Sequence, residues 1–388
     1  MKNSQLVAFG STRRVSGEVE DDVTLRNLID ANTEVVCIVG KASAYHVTEA
    51  LRTSLEEGIA MVEESIRFLK SKKSKVFFDA EHFFDGYKDN PDFSLEVLEG
   101  ASRGGADCVV LCDTNGGSLP HEVEKIVKEV RDKIDCEIGV HLHNDTGCGV
   151  ANAIAGVIGG ASQVQGTING YGERVGNCDL VPVIANLSLK LGIETISKEH
   201  LENLTSVSRH VAELVNFASD PQQPYVGTKA FAHKAGLHTS AIARRRDAYE
   251  HIDPESVGNG TRFLVSEMSG RSTIELKAKE IGIDLDAGII GEVVETLKEL
   301  EYEGYHFEAA DASLELLIRS ATGWTQEHFE IDSFSVSVGH NKGSGARAWN
   351  DVAVEVETHA TVTVTVAGEK ITAEGEGNGP VNALDSAL

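Results

Sequence analysis

Two histidines one residue apart, His141 and His143, are the residues best placed to do chemistry in this chain. They sit in an apolar run that reads as a buried strand. Side chains alternate along a strand, so both imidazoles share one face, about 6.5–7 Å apart along it. At that spacing they can ligate one divalent ion, although such a pair is also compatible with plain packing. The surroundings favour chemistry. Asn144 and Asp145 end the strand in a polar loop, and a second apolar strand, Gln163–Ile168, runs into Asn169-Gly170-Tyr171-Gly172-Glu173-Arg174-Val175-Gly176-Asn177. That turn gathers a carboxylate, a guanidinium and a carboxamide on a glycine-rich loop. Glu173 and Arg174 read as a buried ion pair that shapes it.

The elements that position these groups follow one pattern. Apolar strands at Leu6–Phe9, Val35–Val39, Val76–Phe78 and Cys108–Leu111 precede the two just described, and a helical stretch follows each strand. The second helix carries Leu55, Ile59, Val62, Ile66 and Leu69 at helical spacing. Alternating strand–helix units imply a parallel sheet with right-handed crossovers. In each unit an ionisable residue follows the strand: Arg13, Lys41, Glu81, Asp113, His143 and Glu173. Polar groups in every loop, instead of at one switch point, favour a (β/α)₈ barrel over a doubly wound sheet. Six units are visible, so the expectation is an incomplete barrel over residues 1–195, two units or roughly 60–80 residues short of the usual ~250.

From Ser197 the alternation stops. Residues 196–325 read as a helical subdomain, with helices at Glu199–Phe217, Thr273–Glu280, Ile289–Gly304 and Phe307–Arg319. Period-two runs then mark strands around Phe334–Val338, Val352–Val356 and Val362–Val366, and Pro380 starts a short helix. Residues 326–388 are thus expected to be part of an α+β domain, whose apolar sheet face needs a cover.

The chain has 388 residues, with 35 basic against 61 acidic side chains and a formal charge of −26. That balance argues against nucleic acid and anionic membrane surfaces as partners. No run approaches the ~20 apolar residues of a membrane helix, and no signal-peptide pattern opens the chain. Six cysteines without a CxxC spacing read as free thiols in a reducing cytoplasm.

HLHND, NGYGERVGN, DTNGG, FAHKAGLH and the terminal EGNGPVNALDSAL together resemble the acyl-CoA-dependent 2-oxoacid condensing enzymes, the isopropylmalate, homocitrate and citramalate synthases. LVAFGSTRR, DAEHFFDGYK, QGTINGYGER and SEMSGRS are most similar to the citramalate branch. Aldolase and pyruvate-carboxylase-type barrels also use HxH but lack the FAHKAGLH segment. The resemblance implies a metal-dependent TIM barrel that condenses acetyl-CoA with pyruvate in isoleucine biosynthesis; isopropylmalate or homocitrate synthesis, or an inactive fragment, are the alternatives. It implies His141, His143 and Asn177 as ligands of Mn²⁺, Mg²⁺ or Zn²⁺, Thr114 and Arg13 at the substrate, and Glu81, His238 and Tyr249 as catalytic groups. A homodimer is implied, with the helical subdomain reaching the neighbouring active site, as is an isoleucine feedback site in the last domain.

The family's first strand carries an Asp-Arg-Glu signature. Asp22-Val23-Thr24-Leu25-Arg26-Asn27 has a passing likeness to it but falls in an amphipathic helix pattern. The expectation is therefore a family member lacking its first two units and the rest of its regulatory domain, inactive when expressed alone.

Overall fold

The computed structural model describes residues 4–233, 238, 241–242, 244–263, 270–307, 310–324, 328–340 and 356–388. Parts of FAHKAGLH and SEMSGRS lie outside them, as does most of the strand expected at Val352–Val356. The chain divides into two compact units, Met1–Leu264 and Val265–Leu388.

The first unit is built on six parallel strands paired in chain order: β1 (Val7–Ser11), β2 (Val35–Lys41), β3 (Lys75–Glu81), β4 (Cys108–Asp113), β5 (Glu137–Leu142) and β6 (Gln163–Gln165). This is the incomplete barrel that the alternation predicts. β1 and β6 pair on one side only, and Leu6, Val7 and Phe9 are exposed at the β1 edge. β6 is shorter than expected, because Ile168–Gly170 forms a 3₁₀ turn in which Asn169 has φ 65°.

Helices lie between the strands: α1 (Val23–Asp30), α2 (Leu55–Lys70), α3 (Phe83–Asp89), α4 (Pro91–Gly104), α5 (Pro120–Arg131), α6 (Gly149–Gly159) and α7 (Leu180–Lys190). Their ends follow from local sequence. Ser54 caps α2 by accepting from Glu57 N, with Glu56 and Glu57 in its first turn and Arg67 and Lys70 in its last, matching the helix dipole. Asn90 caps α4, Pro91 opens it and Gly105 closes it at φ 94°. Asp22 caps α1 through Thr24 N and Leu25 N and also accepts from Arg14 N. Its carboxylate is thus committed to the backbone, in keeping with the helical reading of that stretch.

Registry gives the sheet two unlike faces. One carries Ile38, Val76, Phe78, Ala80, Val109, Leu111, Val140 and Leu142 into the core shared with Leu25, Ile66, Leu69, Leu98 and Val127 from the helices. Burying each such side chain is worth about 1.5–3 kcal/mol. The other face aligns Cys37 with Phe77, Val39 with Asp79, Lys41 with Glu81, Cys112 with His141, and His141 with Gln165. Nearly all the chemistry sits on this second face.

The end of β1 is tied to α2 by Arg13, whose side chain is 5% exposed and contacts Glu57 and Glu64, each at 2.7 Å. The guanidinium holds the Glu57 carboxyl below the usual carboxylate range. A lowered carboxylate stabilises the fold above its unfolded value of ~4.3 and loses that contribution as pH falls through the folded value. Glu57→Gln is accordingly expected to lower unfolding free energy by about 1–3 kcal/mol at neutral pH. The gap from wild type should close below pH ~4, as read from denaturation curves across pH.

Helices α8 (Lys198–Leu201) and α9 (Leu204–Leu214) stand where one long helix was expected. Leu201, Leu204, Tyr225, Val226, Phe231 and Val257 share a core with Val181 and Ala185 of α7, so residues up to 264 pack with the barrel segment. In the second unit, helices Arg271–Glu280, Ala287–Tyr302 and Asp311–Ala321 surround Ile274, Val293, Leu297, Leu314 and Ile318. Its antiparallel sheet runs β9 (Glu369–Gly377), β8 (Val356–Val366), β7 (Glu330–His340). The run expected as the third strand, Val362–Val366, falls in β8, and the strand after it is the more polar Glu369–Gly377. The helix Pro380–Ala387 covers Ala360 and Val362 with Ala383 and Ala387.

Candidate active site

At the end of β5, Cys178 N donates to Leu142 O (2.8 Å) and Asn144 N to Gly176 O (3.0 Å). These bonds lay the glycine-rich loop beside the HxH strand and bridge His143 to Asn177. The His141 and His143 rings are 5.3 Å apart. Asn177 Nδ2 donates to Tyr171 O at 3.1 Å. His143 Nδ1 and Asn177 Oδ1 are buried and have no hydrogen-bond partner among the described residues. Leaving such atoms unpaired costs about 1–3 kcal/mol each, a cost that a bound ligand removes. Burial, helped by His141 and Arg174, lowers the pKa of His143 and so favours the neutral ring that metal ions need. Among the described residues no three His, Cys, Asp or Glu side chains gather around one point. His141, His143 and Asn177 offer two imidazoles and an amide oxygen, neutral donors of the kinds that divalent cations with nitrogen and oxygen ligands accept.

The loop depends on two glycines. A Cβ on Gly172 (φ 159°) would lie 2.0 Å from Asn177 Nδ2, and one on Gly176 (φ 97°) would lie 2.1 Å from Gly170 O. Gly172→Ala is expected to push Asn177 aside and weaken divalent-ion binding about 10–100-fold, the range for disturbed ligand support. Calorimetric titration with Mn²⁺ checks this, and unchanged affinity would show that Asn177 is not held by this contact.

The partner of Arg174 differs from expectation. It makes a bidentate bond to Asp145 (2.7 and 2.9 Å) and donates to Thr114 O at 2.8 Å. Glu173 is 86% exposed and 3.9 Å away. The buried Glu173–Arg174 pair is thus replaced by an exposed clamp joining the β4, β5 and β6 loops. A sequence neighbour pointing to solvent cannot compete with the two aligned oxygens of Asp145.

Thr114 Oγ1 accepts from His82 N at 2.8 Å, which leaves its own O–H to donate. Glu81 pairs with Lys41 across the β2–β3 register, and both line a cavity of about 440 Å³ with Ser11, Thr12 and Arg13. Arg13 borders this space, but its donors are directed at Glu57, Glu64 and Arg14 O. A second cavity, about 260 Å³, is walled by Asn144, Asn169, Tyr171, Asn177, Phe217 and Gln223, among others. His238 and Tyr249, eleven residues apart in sequence, stack with ring centres 4.2 Å apart.

Three features escaped the sequence reading. Asp79 is buried on the chemical face of β3, and burial raises its pKa against the hydrogen bonds from Cys37 and Gln165. Gln165 lies between Asp79 and His141, 2.9 Å from each. His46 and His82 stack at 3.7 Å, each with a buried unpaired Nδ1. Period-two parity with Glu81 and His141 was the available signal for Asp79 and Gln165. Nothing local marks the His46–His82 stack, which depends on His82 adopting φ 59°.

An α/β barrel segment whose strand ends carry HxH, a glycine-rich carboxamide loop and a Glu–Lys pair defines a class. Residues 14–211 match the HMGL-like family model, 225–304 the homocitrate synthase post-HMGL domain-like model, and 308–388 the LeuA allosteric (dimerisation) domain. The chain is 47% identical over 390 residues to the (R)-citramalate synthase of Aquifex aeolicus and 49% identical to that of Streptomyces coelicolor. All of this chain and 72% and 71% of those proteins are covered. The 2-isopropylmalate synthase of Acidovorax ebreus is 32% identical, over 93% of this chain and 69% of its own length. The chain belongs to the citramalate, isopropylmalate and homocitrate synthase family of acyl-CoA condensing enzymes. Among the described residues no helix is long and apolar enough to cross a membrane.

Proposed function

We propose that this protein condenses acetyl-CoA with pyruvate and water to give (R)-citramalate and CoA, in the route to isoleucine. The observation that carries this reading is the 47% and 49% identity to citramalate synthases across the whole chain, well above the 32% to an isopropylmalate synthase.

His141, His143 and Asn177 would hold the divalent cation, Mn²⁺, Mg²⁺ or Zn²⁺. Bound there, such an ion would act as a Lewis acid on a ketone oxygen and stabilise developing negative charge. The remaining work falls to the protein's own groups. Thr114 donates its O–H to the 2-oxoacid carboxylate. Glu81, held by Lys41, takes a proton from the acetyl methyl group. The resulting carbon nucleophile forms a bond to the ketone carbon as the C=O π pair moves onto oxygen, which takes up the proton that Glu81 removed; water then adds to the thioester carbonyl and the C–S bond breaks, releasing CoA as its thiol and leaving a carboxylate and a proton. Arg13 acts here through Glu57 and Glu64, fixing the wall of the cavity that Glu81 shares. His238 and Tyr249 serve the neighbouring active site of a homodimer, from a stacked pair poised for proton handling. The LeuA-type domain supports dimerisation and is the place for an isoleucine-like effector.

The test is thiol release by the protein isolated from its own cells, offered acetyl-CoA with pyruvate, 2-oxoisovalerate or 2-oxoglutarate. Pyruvate is expected to be preferred, with citramalate as product. Preference for either of the other two would overturn the assignment.

A further inference from the structure

Asp79 is the buried carboxylate on the chemical face that the mechanism above leaves unused. Its Oδ1, the oxygen that faces its neighbours, carries lone pairs and accepts. Gln165 therefore turns its NH₂ end toward it, with Nε2 2.9 Å from Asp79 Oδ1. Cys37 directs its S–H to the same oxygen at 3.1 Å. The amide is planar, so its other end is determined as well: Gln165 Oε1 faces His141 Nδ1 at 2.9 Å. A carbonyl oxygen only accepts, so the proton between them belongs to Nδ1. The lone pair of the neutral ring is then on Nε2.

We infer that Asp79 and Gln165 are positioning residues that set the tautomer of His141 and present its Nε2 as the free donor atom. The polarity is transmitted over two hydrogen bonds, from Asp79 to Gln165 and from Gln165 to His141. It also makes the two histidines unlike. His141 is held from behind, whereas His143 Nδ1 has no partner and its ring is left to settle on whatever binds. The purpose of the arrangement rests on reading His141 as a ligand, but the chain of hydrogen bonds does not.

The experiment uses ¹⁵N-labelled protein free of metal, with His141→Ala to assign the ring signals. Wild type is expected to show Nδ1 protonated and Nε2 bare. Asp79→Asn keeps the size but can donate or accept, and Gln165→Leu cuts the relay; both are expected to give a mixture of tautomers. Co²⁺ affinity should fall about 10–100-fold in each. A wild-type tautomer in either variant would overturn the inference. If His141→Ala binds Co²⁺ as tightly as wild type, the ligand reading fails instead, while the metal-free spectra still decide the tautomer.

Discussion

His143→Ala is expected to lower citramalate formation by about three orders of magnitude at saturating divalent cation, with little change in melting temperature. A cation that polarises a ketone supplies several kcal/mol of transition-state stabilisation, and each 1.36 kcal/mol is tenfold in rate. His143 is no pillar of the core, because its Nδ1 is buried without a partner and it lies just beyond β5. Removing it takes away a proposed ligand and, in the free protein, also an unpaired polar atom. His141→Ala should behave alike. Asn177→Ala should lose less activity and more stability, because its amide also holds Tyr171 O. Turnover near the wild-type rate in His143→Ala at saturating metal would remove this residue from the donor set.

Glu81→Gln is expected to reduce kcat by about 10²–10⁴-fold, the range for loss of a positioned general base. The substitution keeps size and hydrogen bonding but abolishes proton uptake. Lys41→Met tells a base from a strut, since it breaks the Lys41–Glu81 pair and leaves the carboxylate in place. If Glu81 takes the proton, Lys41→Met should retain most of the activity lost in Glu81→Gln. Equal losses in the two variants would make the ion pair, and not proton transfer, the function of Glu81.

The six-strand order was legible because parallel strands buried between helices read as apolar runs, and the runs at Val35, Val76 and Cys108 are unmistakable. The HxH strand and its glycine-rich loop were legible for a related reason: residues so polar and so small have little packing use at a strand end. Partners distant in sequence were not legible. Arg174 is separated from Asp145 by a strand and a helix, and Asp79 from Gln165 by two whole strands, β4 and β5. Only the register of the sheet sets such distances. The Arg13 assignment shows the same gap, since a strand-end arginine looks free until the capped α2 brings Glu57 and Glu64 against it. In the second unit the strand Glu369–Gly377 was missed, because its residues are largely polar and exposed and Ala367-Gly368 is a weak turn signal.

The loop from Asn169 to Asn177 has no room inside it: its own backbone and the Asn177 amide occupy the places where side chains on Gly172 and Gly176 would project. A structure filled by main chain cannot be retuned by swapping residues within it, so evolution of substrate preference in this protein must work from outside. The adjustable surfaces are Val150, Phe217 and Ala218, which line the adjoining cavity as ordinary side chains. A library built to accept a bulkier 2-oxoacid should hold the glycines constant and diversify those three positions. Randomising the loop itself would mainly recover proteins that have lost the site.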